Sequence, residues 1–254
     1  LAGNIFASVE NGCSPLAVDF TGSASFANHY FWDFGDGNSK DTTSQQVSHV
    51  FTNLNPALNA QYTVSEIATN AYGCADTTTT LINVRPQVIA GIIASDSVGC
   101  NPLQVSFSGA ASINANSYSW DFGDGGATAT GVNVNRIFTN NSDTIKVFTI
   151  RLIADRVGVS CPDTASVTVK IYPKPRAEFD AVPNSGCQPL LVNFTNNSQL
   201  ATSSYWVITA GPQVDTILNA TANAGFDTTF SNTTPLNQIV KAELYVTSGN
   251  GCSD

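Results

Sequence analysis

The sequence predicts an all-β fold of three tandem β-sandwich units in an elongated rod, and three observations carry that expectation. Cysteine falls three times in one phrase, Gly12-Cys13-Ser14-Pro15-Leu16, Gly99-Cys100-Asn101-Pro102-Leu103 and Gly186-Cys187-Gln188-Pro189-Leu190, with the same spacing from the first to the second as from the second to the third. A second cysteine follows each phrase, Cys74, Cys161 and Cys252, at equal distance in the first two copies and slightly farther along in the third. Trp32, Trp120 and Trp206 take the same place in each copy. A repeat of this length means a tandem array of small domains, here 1–85, 86–173 and 174–254.

Within the first unit, Asn4–Val9 reads as an opening strand and Asn11-Gly12-Cys13-Ser14-Pro15 as the turn after it. Leu16, Val18 and Phe20 alternate inward on a second strand. Tyr30, Trp32 and Phe34 do so on a third, leaving Phe31 and Asp33 outward. Gly35-Asp36-Gly37 is then a tight turn, because glycine supplies the positive φ that such turns need. Val47–Phe51 and Tyr62–Asn70 are among the further strands, and Thr77–Val84 closes the unit. Seven short strands with a tryptophan on the third describe an immunoglobulin-like sandwich. Neither cysteine is expected inside a strand, so the inter-sheet disulfide common in that fold is missing. The third unit reaches Asp254 where the other two begin their last strand, so that strand is expected to be absent from the chain.

Composition narrows the function classes. The net charge of −9 opposes nucleic-acid binding, which needs basic patches. Only 11% of residues are charged, and Ser, Thr and Asn are abundant, the surface of a secreted protein. No apolar run is long enough to span a membrane. No signal peptide is visible and methionine is absent, so the chain reads as processed or as a piece of something longer. Units of about 85 residues bury only about two-thirds of their unfolded surface, so six cysteines set on the repeat point to disulfides and an oxidising compartment. With no Cys-x-x-Cys and two histidines, zinc is not expected.

At Trp32-Asp33-Phe34-Gly35-Asp36-Gly37 and Trp120-Asp121-Phe122-Gly123-Asp124-Gly125 the sequence resembles the PKD (polycystic kidney disease) domain family. Pro15-Leu16, Ser48-His49-Val50-Phe51 and Tyr62-Thr63-Val64 agree with it. The third copy is degenerate, with Trp206-Val207-Ile208-Thr209-Ala210-Gly211 in place of the motif. The cysteine pattern is similar to PKD arrays in large surface adhesins of gliding Bacteroidota. That resemblance implies an extracellular, surface-attached stalk or filament segment whose partners are further PKD repeats or neighbouring filament subunits. It also implies O-glycan acceptors at Asp followed by Ser or Thr: Thr42, Thr77, Ser97, Thr144, Thr164, Thr216 and Thr228. The structural alternative is an aspartate that ends a turn before a threonine that opens a strand.

The cysteine pairing follows from topology. Cys13 lies between the first two strands and Cys74 between the sixth and seventh, at opposite poles of a sandwich. Nine residues of strand separate them by about 30 Å, against a disulfide Cα separation of about 4.4–6.8 Å. The linkers around Arg85-Pro86 and Pro173-Lys174-Pro175 are short and proline-stiffened, so neighbouring poles abut. This predicts Cys13–Cys161 and Cys100–Cys252, with Cys74 and Cys187 reaching to neighbouring repeats. The alternative is three bonds within repeats, Cys13–Cys74, Cys100–Cys161 and Cys187–Cys252.

Asp33, Asp36, Asp121 and Asp124 suggest calcium, which takes six to eight oxygens; otherwise they accept backbone N–H bonds in a tight turn. Nothing else suggests a cofactor. His49 stands where the second unit has Arg136, and His29 has no readable partner. No nucleophile elbow, zincin or phosphate-loop motif occurs, so no enzyme is expected. Phe31 on the outer face could stack on a sugar ring. That feature supports the rival reading, accessory carbohydrate- or matrix-binding modules of a secreted hydrolase.

Overall fold

The computed structural model describes every residue except Leu1, Ala127, Val159, Pro212 and 220–223. Its strands are short and alternate buried with exposed residues, as in Leu16–Gly22, where Leu16, Val18, Phe20 and Gly22 point inward. Three separate apolar cores form, centred on Trp32, Trp120 and Trp206, each fully buried.

The first unit comprises β1 (Ile5–Ala7), β2 (Asn11–Cys13), β3 (Leu16–Gly22), β4 (His29–Asp33), β5 (Ser39–Thr42), β6 (Gln46–Phe51), β7 (Ala60–Thr69) and β8 (Ala75–Arg85). They make two sheets, β1-β3-β6 and β2-β8-β7-β4-β5. The second repeats this plan with β9 (Ile93–Ala94), β10 (Val98–Cys100), β11 (Leu103–Ser108), β12 (Ser117–Asp121), β13 (Ala129–Thr130), β14 (Asn133–Phe138), β15 (Lys146–Asp155) and β16 (Asp163–Tyr172). The third has β17 (Phe179–Val182), β18 (Leu190–Asn196), β19 (Ser203–Ala210), β20 (Gln213–Asn219), β21 (Phe226–Phe230) and β22 (Val240–Thr247). Its sheets are β17-β18-β21 and β20-β19-β22. Among the described residues no helix is long and apolar enough to cross a membrane.

The structure departs from the sequence expectation at two kinds of strand. The segment read as a turn at Asn11–Pro15 contains β2, which pairs in parallel with the end of β8, Cys13 opposite Arg85. In the second unit β10 pairs likewise with β16, Cys100 opposite Tyr172. These cysteines therefore do end strands. The chain opens on one sheet in β1 and crosses to the other in β2; at the crossing a Cβ on Gly12 would stand 2.3 Å from the Leu16 Cδ1 methyl, so the leucine packs over the glycine and would have to move for any larger residue. The wholly polar β5, Ser39–Thr42, carries no apolar alternation to announce it and pairs only at the sheet edge with β4.

In the third unit β19 continues past the position where the motif turn stops β4 and β12, and folds back on β20. Among the described residues no strand stands beyond β22 where β8 and β16 flank β7 and β15.

Candidate functional site: the junctions between units

Parallel pairing of β2 with β8 fixes the poles. Cys13 stands beside the last residue of β8, and Cys74 immediately precedes its first. Eleven residues of strand keep them about 36 Å apart. Each first-phrase cysteine meets the second cysteine of the following unit instead. Cys13 is bonded to Cys161 with Cα atoms 5.6 Å apart, and Cys100 to Cys252 at 5.5 Å. Cys161 and Cys252 are buried, whereas Cys74 and Cys187 are free thiols on exposed residues.

Polar contacts reinforce both junctions. Arg85 Nη1 donates to the Ser160 carbonyl at 3.3 Å, and Arg156 reaches back to the Pro56 carbonyl of the first unit. At the second junction Arg176 pairs with Asp143 at 2.5 Å across the boundary. Both groups are exposed, so this pair adds at most about 1 kcal/mol.

A carboxylate repeats two residues after each second cysteine and clasps the chain where its own unit opens. Asp76 Oδ2 accepts from the Gly3 amide at 3.2 Å, Asp163 from Ala90 at 2.9 Å, and Asp254 from Ala177 at 2.9 Å. Lys174 also contacts Asp254, and these bonds, the lysine's first, hold its carboxyl below the usual range.

The motif aspartates serve their own turns. Asp33 and Asp121 accept the amides of Gly35 and Gly123, each at 2.9 Å. Asp36 accepts the Asn38 amide with one oxygen and faces His49 Nε2 at 2.7 Å with the other. Asp124 accepts the Gly126 amide and takes Nε and Nη2 of Arg136 at 2.7 and 2.6 Å. Burial pushes both carboxyls up, but the hydrogen bonds outweigh it and leave each below its ordinary value. The basic partner of each pair lies on the motif phenylalanine: His49 stacks on Phe34 at 4.0 Å, and Arg136 lies 5.2 Å from the Phe122 ring centre.

These residues do not fit calcium. The four aspartates form two separate pairs, and in each the second carboxylate already faces a side-chain partner and a backbone N–H. Among the described residues no group of three or more His, Cys, Asp or Glu could hold a metal. The sequence noted that His49 and Arg136 share a position but missed their role; the recurrence of a basic or imidazole side chain opposite the motif aspartate was the available signal.

The Asp-Ser/Thr positions divide. Thr77, Ser97, Thr144, Thr164 and Thr216 are exposed, while Thr42 and Thr228 are half-buried. Several of the aspartates have structural duties: Asp76 and Asp163 as above, Asp41 beside His29 at 2.6 Å, and Asp143 on Arg176. Phe31 is 37% exposed on the outer sheet face. Its counterpart Tyr205 stacks on Tyr245 at 4.7 Å across β19 and β22.

Successive β-sandwiches, each bonded covalently to the next, define a modular chain whose distinctive chemistry lies at its joints. The chain belongs to the PKD domain family: the model of the PKD domain matches residues 6–84 and 83–171. Solved structures similar to it include fibronectin(III)-like modules of Clostridium thermocellum CbhA, at 11% identity and a TM-score of 0.31 over 67% of this chain and 94% of that one. A 1.5-MDa bacterial ice-binding adhesin, at 10% and 0.34, covers 100% and 94%. A Ca2+-stabilized adhesin of an Antarctic bacterium, at 12% and 0.32, covers 95% and 72%. Comparison with curated proteins finds no match.

Proposed function

We propose that this chain is a segment of a stalk or filament of a secreted bacterial surface protein, with units at 1–85, 86–173 and 174–254. The observation that carries the reading is the pair of disulfides between units, Cys13–Cys161 and Cys100–Cys252. Bonds within a unit would stabilise beads; bonds between units fix the angle of one bead to the next, which is useful to a rod that must hold its direction. Family membership and an oxidising compartment fit this reading. On the same pattern Cys74 takes a preceding repeat's first-phrase cysteine, and Cys187 the second cysteine of a following one. The reading assigns no catalysis and no cofactor. O-glycans at the exposed Thr77, Ser97, Thr144, Thr164 and Thr216 would suit a protease-resistant stalk.

The test is a non-reducing peptide map of natively secreted material, with immunogold labelling of intact cells. The expected result is crosslinked peptides joining Cys13 to Cys161, glycopeptides at the exposed sites, and label along surface fibres. Label confined to a soluble hydrolase would overturn it. The Tyr205–Tyr245 pair favours the second reading, an accessory glycan-binding module, which a glycan-array signal lost in Tyr205→Ala would establish.

A further inference from the structure

We propose that the disulfides convert this array into two covalent tension tracks that bypass the sandwich cores, so that the protein resists extension without unfolding. This deepens the stalk reading and takes its biological use from it. The argument is one of connectivity. From Cys74 to Cys100 the chain passes only through β8, the linker and the opening strands β9 and β10, and Cys100 is then bonded to Cys252. From Cys161 to Cys187 it passes only through β16, the linker and β17, and Cys161 is bonded back to Cys13. Each track is thus a last strand, a linker and a first strand, joined to the next such segment by a disulfide.

These tracks have little slack. β8 spans the first unit from the Cys74 pole to the Cys13 pole. The clasp of Asp163 on Ala90 puts the start of the second unit near Cys161, and Cys100 stands at the far end of β16. A segment of about 26 residues reaches at most about 90 Å, and two strand lengths of ten or eleven residues already take up about 70 Å of it. The stretches from Cys13 to Cys74 and from Cys100 to Cys161 hang outside the load path. They hold most of the first two cores. The two tracks lie side by side, hydrogen-bonded in parallel where β2 meets β8 and β10 meets β16.

The test pulls single molecules of the full chain carrying Cys187→Ser, with one handle on the Cys74 thiol and one on a tag after Asp254. The shortest oxidised path runs from Cys74 to Cys100, across the disulfide, and from Cys252 to Asp254. At about 28 peptide steps, its reach should stop near ~100 Å in oxidised protein and rise about sixfold, to ~650 Å, in reductant. A Cys100→Ser, Cys252→Ser double variant, whose shortest route runs back through Cys13 and Cys161, should reach ~550 Å without reductant. Extension of oxidised protein well past ~100 Å, an unchanged reach in the double variant, or a Cys74 that takes no thiol label would each overturn the proposal. None of these outcomes depends on where the protein resides, and a failed surface label leaves the tracks untouched.

Discussion

Glu66 lies in the core of the first unit, directly opposite Trp32, where Leu152 faces Trp120 and Leu244 faces Trp206. It is 1% exposed, its Oε1 has no hydrogen-bond partner, and Thr78 reaches only the other oxygen, at 3.4 Å. Burial pushes its carboxyl above the ordinary value, and the threonine offsets this only in part. A folded-state pKa above the unfolded one means that the folded unit holds the proton more tightly. Stability from this group is therefore complete below the unfolded pKa and is lost as pH rises through the raised value. Asp36 acts in the opposite sense: its lowered pKa supplies stability above the unfolded value that is lost as pH falls toward the folded one. Hydrogen exchange resolved by unit should show the first unit loosening as pH rises above the ordinary carboxylate range while the second does not. Glu66→Leu should remove that slope and add about 1–3 kcal/mol at pH 7; a mutant no more stable than wild type would show the carboxyl to be hydrated in place. At the motif turn the two glycines separate cleanly. Gly35 has φ +73°, and a Cβ there would meet the Thr63 carbonyl at 2.5 Å; Gly37 has φ +90° with open space around it. Gly35→Ala should cost about 2–4 kcal/mol and Gly37→Ala only about 1 kcal/mol, read as two distinct midpoints in denaturant.

At the scale of the element, buried asparagines hold the last strand of each complete unit. Asn140 Nδ2 donates to the Thr144 carbonyl at 2.7 Å and to Ile171, in β16, at 2.9 Å; Asn53 does the same for Leu58 and Val84, in β8. Their own amides bond Asn101 and Ser14, the residues just after the first cysteines. Asn140 thus ties the crossing strand, the loop and the final strand at the pole where the disulfide forms. Asn140→Ala takes a donor from the buried Ile171 carbonyl, while the Thr144 carbonyl keeps Ser142 Oγ at 3.1 Å, and should destabilise the second unit by about 1–3 kcal/mol, seen as faster exchange of β16 amides; unchanged exchange there would mean that the loop alone is affected. The longer strands were legible because their apolar residues alternate, as on β3 and β4. β2 and β10 were not, because a glycine, a cysteine and a following proline have the chemistry of a turn, and their pairing is with a strand at the far end of the unit. β5 was not, because at a sheet edge nothing demands apolar residues. The interlocking asparagines were invisible for a related reason: a polar residue between turn signals reads as loop until its carbonyl partners are known.

For the whole molecule, the order of units and their abutting poles followed from the repeat and the proline linkers, since a short stiff connection leaves few ways to place the next domain. The sequence did not reveal which side chains seal each joint. Arg85 on Ser160, Arg156 on Pro56 and Arg176 on Asp143 have no repeat-wide pattern, so each junction is fastened in its own way. Replacing Cys13 and Cys161 by serine should remove at most ~5 kcal/mol of unfolded-state restraint and free the first joint. Small-angle scattering would then record a broader distribution of maximum dimension; a distribution identical to wild type would place the stiffness in the polar contacts instead.

The overlap of the two disulfides carries a last consequence. Cys13–Cys161 bridges every peptide bond between those two residues, and Cys100–Cys252 does the same for its own span. Between Cys13 and Cys252 each bond is therefore bridged at least once, and those from Cys100 to Cys161 twice. A single proteolytic nick anywhere in that range leaves the pieces joined. Limited digestion should give a ladder of fragments on a reducing gel and one undiminished band without reductant. Damage that would shed the distal end of an ordinary string of domains would leave this one attached.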